Sequence, residues 1–168
     1  ATAAGMGHLV IMDDLQPEFD LSYWSVQLWH ELGANLSESC AYRKTPTLWL
    51  ASDADEMQIA QEKYQRLSQQ GVRCRLLNQA EMYAIAPQLK SGLFGALEVL
   101  DDGILYAPCA AEWFLQQFPD LIQVSNEKVQ AVEERRVQLA DGSWQEADYI
   151  VVANGIHVTD FFPELPIE

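Results

Sequence analysis

Two short stretches of small residues could bring chemistry to this chain. Ala1-Thr2-Ala3-Ala4-Gly5-Met6-Gly7-His8-Leu9 is a loop in which another group could approach the backbone closely and meet its N–H groups. Ala153-Asn154-Gly155 offers the same opening at the end of the apolar run Tyr149-Ile150-Val151-Val152-Ala153. His8 closes the first stretch. Its imidazole could act on a bound molecule, although a lone histidine is more often simply hydrogen-bonded in place. Elsewhere the sequence shows no Ser/His/Asp or Cys/His arrangement and no metal-ligand cluster. Nor is there a Gly-x-Gly-x-x-Gly motif, because Gly5-Met6-Gly7-His8-Leu9-Val10 has valine where the third glycine belongs.

Positioning these stretches requires strands and helices that the pattern supplies. From Val129 to Gly155 the chain reads as Val129–Leu139, a turn at Asp141-Gly142, and Trp144–Gly155. Asp-Gly between alternating segments predicts a hairpin in which both central residues take positive φ. The run Tyr149–Ala153 does not alternate, which predicts a strand buried on both faces, in the centre of a helix-covered sheet. In open α/β sheets ligands gather at the carboxyl ends of such strands.

Upstream, Leu21, Trp24, Leu28 and Leu32 recur at helical spacing before Gly33, predicting a helix over 19–32 with its aromatic residues in the core. Thr47–Leu50 is a strand. Ser52-x-x-Asp55 has the spacing of a capping box for a helix carrying Met57, Ala60, Tyr64 and Leu67, which Gly71 ends. Val72–Leu77 reads as a strand, Asn78-Gln79-Ala80-Glu81 as the start of a capped helix ended by Pro87, and the charged residues of these helices as solvated. Leu93–Leu100 and Gly103–Tyr106 read as strands joined across Asp101-Asp102-Gly103. Pro108 suits the first turn of a helix through Phe118, and Ile122–Val124 reads as a short strand.

Composition narrows the function classes. With 168 residues the chain is within the size of one domain, and 49% hydrophobic against 21% charged residues is ordinary for a soluble protein. A net charge of -15, from 25 acidic and 10 basic residues, would repel a polyphosphate backbone, so nucleic acid is not the expected partner. No apolar run approaches the roughly 18 residues of a membrane span, and a basic signal-peptide start is missing; peripheral membrane association stays open. Cys40, Cys74 and Cys109 are odd in number and widely spaced, which favours buried thiols in a reducing, cytoplasmic compartment over disulfides or zinc.

The hairpin followed by Ala147-Asp148-Tyr149-Ile150-Val151-Val152-Ala153-Asn154-Gly155 resembles the second flavin-contacting motif of two-dinucleotide-binding-domain flavoproteins. Ala1–Leu9 is similar to the loop lying against the flavin in the FAD-dependent D-amino-acid oxidase and glycine oxidase family. Thr45–Ala51 and Asp102–Pro108 resemble that family's substrate-domain segments. The resemblance implies an α/β fold, α+β in the substrate part: a partial FAD-binding fold with an inserted substrate-domain sheet. Residues 1–40 and 107–168 would serve the flavin-binding domain and 41–106 the substrate domain.

The resemblance also implies FAD as cofactor, held by Thr2, Ala3, Ala4, Gly5, Met6, Gly7, Val129, Ala153, Asn154 and Gly155, with His8 as the candidate catalytic residue and no metal. A flavin supplies the electron sink for hydride from the α-carbon of an amine or amino-acid substrate such as glycine or a D-amino acid. The family's pyrophosphate-binding turn, its ribose-binding acid and the arginine that holds the substrate carboxylate have no counterpart in these residues. The expected partner is therefore the remainder of a flavoprotein chain or another subunit, and the piece alone is expected to be inactive and poorly stable. A reading from another class is a non-catalytic α/β binding or interaction module without cofactor.

Overall fold

Gly95–Val99 (β5) is buried along its whole length, because it lies between two neighbours and under two layers of side chains. The computed structural model describes residues 5–11 and 14–153. They form two units, divided between residues 116 and 117. In chain order the first holds β1 (His8–Leu9), α1 (Gln16–Leu32), β2 (Arg43–Lys44), β3 (Thr47–Ala51), α2 (Ala54–Gln69), β4 (Cys74–Asn78), α3 (Gln79–Ile85), β5, β6 (Gly103–Ile104) and α4 (Ala107–Gln117). The second holds β7 (Val129–Glu133), β8 (Arg136–Leu139) and β9 (Trp144–Glu146). Helix and sheet are mixed, and every strand pairing is antiparallel.

The sheet β3-β5-β4 sorts its residues by the period of two. Trp49, Leu97 and Leu76 stand opposite one another on one face, Leu50, Ala96 and Leu77 on the other. The first face joins Ile11, Phe19, Val26, Ala60, Leu67, Val72 and Val99 under α1 and α2. The second joins Met82 and Leu93 under α3. Each fully buried leucine here contributes about 1.5–3 kcal/mol. A smaller cluster of Cys40, Leu105 and Ala110, with Leu9, Trp29, Tyr42 and Trp113 against it, accompanies the sheet β1-β6-β2.

Helix α3 begins as its sequence predicts: Asn78 Oδ1 accepts from the Glu81 N–H and Glu81 Oε2 accepts from the Asn78 N–H, both within 3.0 Å. The cap of α2 sits one residue later than Ser52. Asp53 accepts from the Glu56 N–H at 2.9 Å, and Glu56 reaches back to the Ser52 N–H at 2.6 Å, a span the shorter Asp55 does not make.

Several expectations are corrected. Helix α1 starts at Gln16, and it buries Phe19 and Val26 while Leu21, Trp24 (63% exposed) and Leu28 face outward. Both stripes have helical spacing, and packing against β5 and α2 selects the one that includes Phe19. Gly33 is right-handed rather than a left-handed stop; its hydrogen side faces the Tyr42 ring, which a Cβ would strike. Lys63 is not solvated: it is buried, lies 3.8 Å over the Trp49 ring and pairs with Asp14.

Further corrections concern strands. β5 and β6 do not pair with each other; each is the middle strand of a different sheet. Residues 129–139 are two strands, not one, so the second unit is a meander. Its Asp141-Gly142 turn has positive φ at Gly142 alone (+84°), with the Gly142 N–H on the Leu139 carbonyl and the Leu139 N–H on the Ser143 carbonyl, both at 2.9 Å. That is the longer hairpin loop in which only the glycine is left-handed. Ile122–Val124 and Tyr149–Ala153 are irregular, and Tyr149 and Val151 are 89% and 86% exposed. An apolar run pairs as a central strand only where neighbours offer ladders on both sides, and none of the described strands pairs with these residues.

A methyl group added to Gly95 would meet the Leu77 carbonyl oxygen and, at 3.1 Å, Met57 Sδ. Gly95→Ala is therefore expected to lower stability by about 1–3 kcal/mol, read from the urea midpoint of the full-length protein. An unchanged midpoint would show that β5 can shift between its neighbours.

Candidate functional site

The loop Gly5–Gly7 is held from one side and open on the other. Its strand, β1, pairs with β6 through His8 opposite Ile104 and Leu9 opposite Gly103. The Gly7 carbonyl accepts the Leu105 N–H at 2.9 Å. Gly7 has φ +69°, and a Cβ there would collide with the Leu105 carbonyl, so glycine is required for both conformation and space. Gly5, Met6 (79% exposed) and His8 face outward. Pinned backbone beneath and an exposed surface above, with glycine at both ends of the loop, suit contact with a flat ligand.

Beside this loop runs the polar corner between β5 and β6. Asp102 is completely buried. One carboxylate oxygen accepts the Ile11 N–H at 3.0 Å, just past β1, and its backbone carbonyl accepts the Thr45 N–H at 3.1 Å, between β2 and β3. Oδ2 has no hydrogen-bond partner among the described residues. Burial pushes the carboxyl up to about 6; the Thr47 hydroxyl and the Ile11 N–H oppose the rise, the Asp101 charge adds to it and His8 opposes it.

Asp101 behaves in the opposite way. The Arg73 guanidinium, at 2.5 Å, holds its carboxyl below the usual range against a smaller effect of burial, and Lys44 assists at 3.4 Å. The pair in turn raises the Arg73 guanidinium. The Asp101 carbonyl lies 2.7 Å from His30 Nε2 and can only accept, so that nitrogen carries the hydrogen; in the neutral ring Nδ1 then accepts from the Tyr42 hydroxyl at 2.5 Å. Burial raises the Tyr42 phenol.

The residues expected to form the site are only partly gathered. Gly5, Met6, Gly7 and His8 stand together in the first unit. Val129 opens β7, paired with Leu139 and half exposed, and Ala153 is exposed in the irregular segment after β9; both belong to the second unit. Thr2, Ala3, Ala4, Asn154 and Gly155 lie outside the described residues. Asp102 was missed, because Asp-Asp-Gly reads as a turn. The available signal was an acidic pair between the apolar runs 93–100 and 104–107, which is a poor place for a second unpaired carboxylate.

The chemistry of the donor set fits part of a flavin nucleotide. The pinned loop with its open face suits the ring, whereas the described residues contain no glycine-rich turn at a helix start for the pyrophosphate. A surface depression at the β7–β8 turn is lined by Glu133, Arg135, Arg136, Glu146 and Asp148. Arg135 is paired with Asp148 at 2.5 Å and Arg136 with Glu133 at 2.6 Å, so these cations are already engaged.

The model of the family described as FAD dependent oxidoreductase matches residues 1–168. Among solved structures, glycine oxidase from Geobacillus kaustophilus is similar at a TM-score of 0.76 and 20% identity, covering 97% of this chain and 47% of that one. Glycine oxidase from Bacillus cereus gives 0.75 and 20%, with the same coverage. L-proline dehydrogenase from P. horikoshii gives 0.70 and 18%, covering 82% of this chain and 38% of that one. At these identities the likeness is one of fold, and the chain spans about half the length of the glycine oxidases. No curated protein matches the sequence. No helix among the described residues is long and apolar enough to cross a membrane.

Gly7→Ala is expected to cost about 1–3 kcal/mol of stability, since it adds a strained φ to a backbone collision. The thermal midpoint of the full-length protein measures it. A midpoint equal to that of the wild type would mean that the loop is not pinned at Leu105.

Proposed function

This chain belongs to the FAD dependent oxidoreductase family, and on that premise we propose that it forms part of a flavoenzyme that oxidises an amine or amino acid, such as glycine or a D-amino acid. The observation that carries this reading is the Gly5–Gly7 loop, fixed at its inner edge by the Leu105 N–H and exposed at its outer one. Bound FAD would supply the electron sink for hydride from the substrate α-carbon. In this reading Thr2, Ala3, Ala4, Gly5, Met6 and Gly7 lie against the flavin, where small side chains and free N–H groups admit it. His8, at the mouth of the loop, orients the substrate or tunes the ring. Val129, Ala153, Asn154 and Gly155 serve the dinucleotide side.

No general base is required from the chain, because a substrate amine bound in its neutral form assists the departure of hydride itself. Residues 1–40 and 107–168 are assigned to the flavin-binding domain and 41–106 to the substrate domain. The remainder of the flavoprotein, in the same chain or in a partner subunit, completes the pyrophosphate and carboxylate sites. The three free cysteines fit a reducing compartment, the cytoplasm.

Absorption of the protein purified from its native-length gene tests the reading. The visible band of an oxidised flavin is expected, bleached without oxygen by glycine or a D-amino acid. A colourless protein that does not take up added FAD would overturn it.

A further inference from the structure

We infer that Asp102 is a positioning residue: its buried carboxyl latches the strand that leaves the Gly5–Gly7 loop, and the latch holds more firmly when that carboxyl is protonated.

Three features of the corner carry this. Asp102 joins separate parts of the chain, through its side chain to Ile11 and through its backbone to Thr45. The residue is wholly enclosed, and Oδ2 has no hydrogen-bond partner among the described residues, so an ionised carboxylate there has lost its water without full replacement. Gly103, next in the chain, pairs with Leu9 of β1 and Lys44 of β2, so a movement of the corner is passed directly to the strand that carries His8.

The groups that face Asp102 explain why it does not behave like its neighbour. β1 brings His8, and β3 brings the Thr47 hydroxyl. Lys44 of β2 and Arg73 before β4 are both engaged by Asp101, and His30 of α1 is turned to the Asp101 carbonyl. The cations near the corner thus neutralise Asp101 and leave Asp102 with a burial cost that is incompletely offset. Its carboxyl titrates near 6 when the corner is closed, against 3.8 for the ordinary hydrated group. The closed corner therefore binds its proton more tightly than the open one. Its advantage is fully present below the hydrated value, declines as pH rises, and is lost above about 6.

Hydrogen exchange of segment 8–11 in the full-length protein, corrected for intrinsic exchange, tests the latch. Measurements from about pH 5 to about pH 7 keep the acidic chain clear of its isoelectric range. In the wild type, protection at Ile11 should fall roughly tenfold across that interval. Asp102→Asn keeps the acceptor for Ile11 and removes the titration, so its protection should be independent of pH. An imidazole also titrates in this range, and His8→Gln should therefore keep the response. A flat wild-type profile, an Asp102→Asn protein that follows the wild-type course, or loss of the response in His8→Gln would each overturn the assignment. Should Asp102→Asn not fold, the wild-type and His8→Gln profiles decide. The bearing of the latch on a cofactor rests on the flavin reading above. A protein without flavin that retains the pH response would overturn that reading and leave the latch in place.

Discussion

The hydrogen-bonding demand of a strand with two neighbours governs this structure, because one stretch, residues 95–104, meets it twice. Its first half is the middle strand between β3 and β4, and its second half is the middle strand between β1 and β2. A middle strand must satisfy N–H and C=O groups on both edges. Everything in the first unit is arranged to do that: α1 and α2 cover one face of the first sheet, α3 covers the other, and the loop Gly5–Gly7 is tethered where the second sheet ends. The corner between the halves is consequently enclosed, and what it encloses is two acids.

Those acids show how position decides the state of identical groups. Asp101 meets Arg73 and Lys44 at the rim and remains charged with little cost. Asp102, one residue further in, has the Ile11 N–H and the Thr47 hydroxyl but no lysine or arginine beside it, and burial dominates. The turn at Leu100-Asp101 separates them, leaving Asp101 beside Arg73 and Lys44 while Asp102 is carried inward toward Ile11.

Local chemistry was the legible part of the sequence. The Asn78–Glu81 box, the period of Met57, Ala60, Tyr64 and Leu67, and the prolines bounding α3 and α4 depend on contacts within a few residues, and these elements form where the pattern puts them. What the pattern left open was the choice among partners. Leu21, Trp24 and Leu28 make as good a stripe as Phe19, Tyr23 and Val26, and only the position of β5 and α2 decides between them. The run Tyr149–Ala153 has the composition of a doubly covered strand, yet coverage comes from other segments, which the described residues do not provide. Of the candidate site, the Gly7 requirement could be anticipated from residue type. The contact of Asp102 with the Ile11 N–H could not, because it joins residues 91 positions apart in sequence.

The placement of 95–104 also sets a schedule for synthesis. Chains emerge from the ribosome N-terminus first, so β1, β2, β3, α2 and β4 all leave before the strand that joins them. Until residue 99 is free, β3 and β4 have no common neighbour and the apolar faces of α1 and α2 have no sheet to cover. The growing polypeptide therefore exposes Trp49, Leu67 and Leu76 until β5 has emerged, an interval in which a chaperone would compete with its own fold for the same surface.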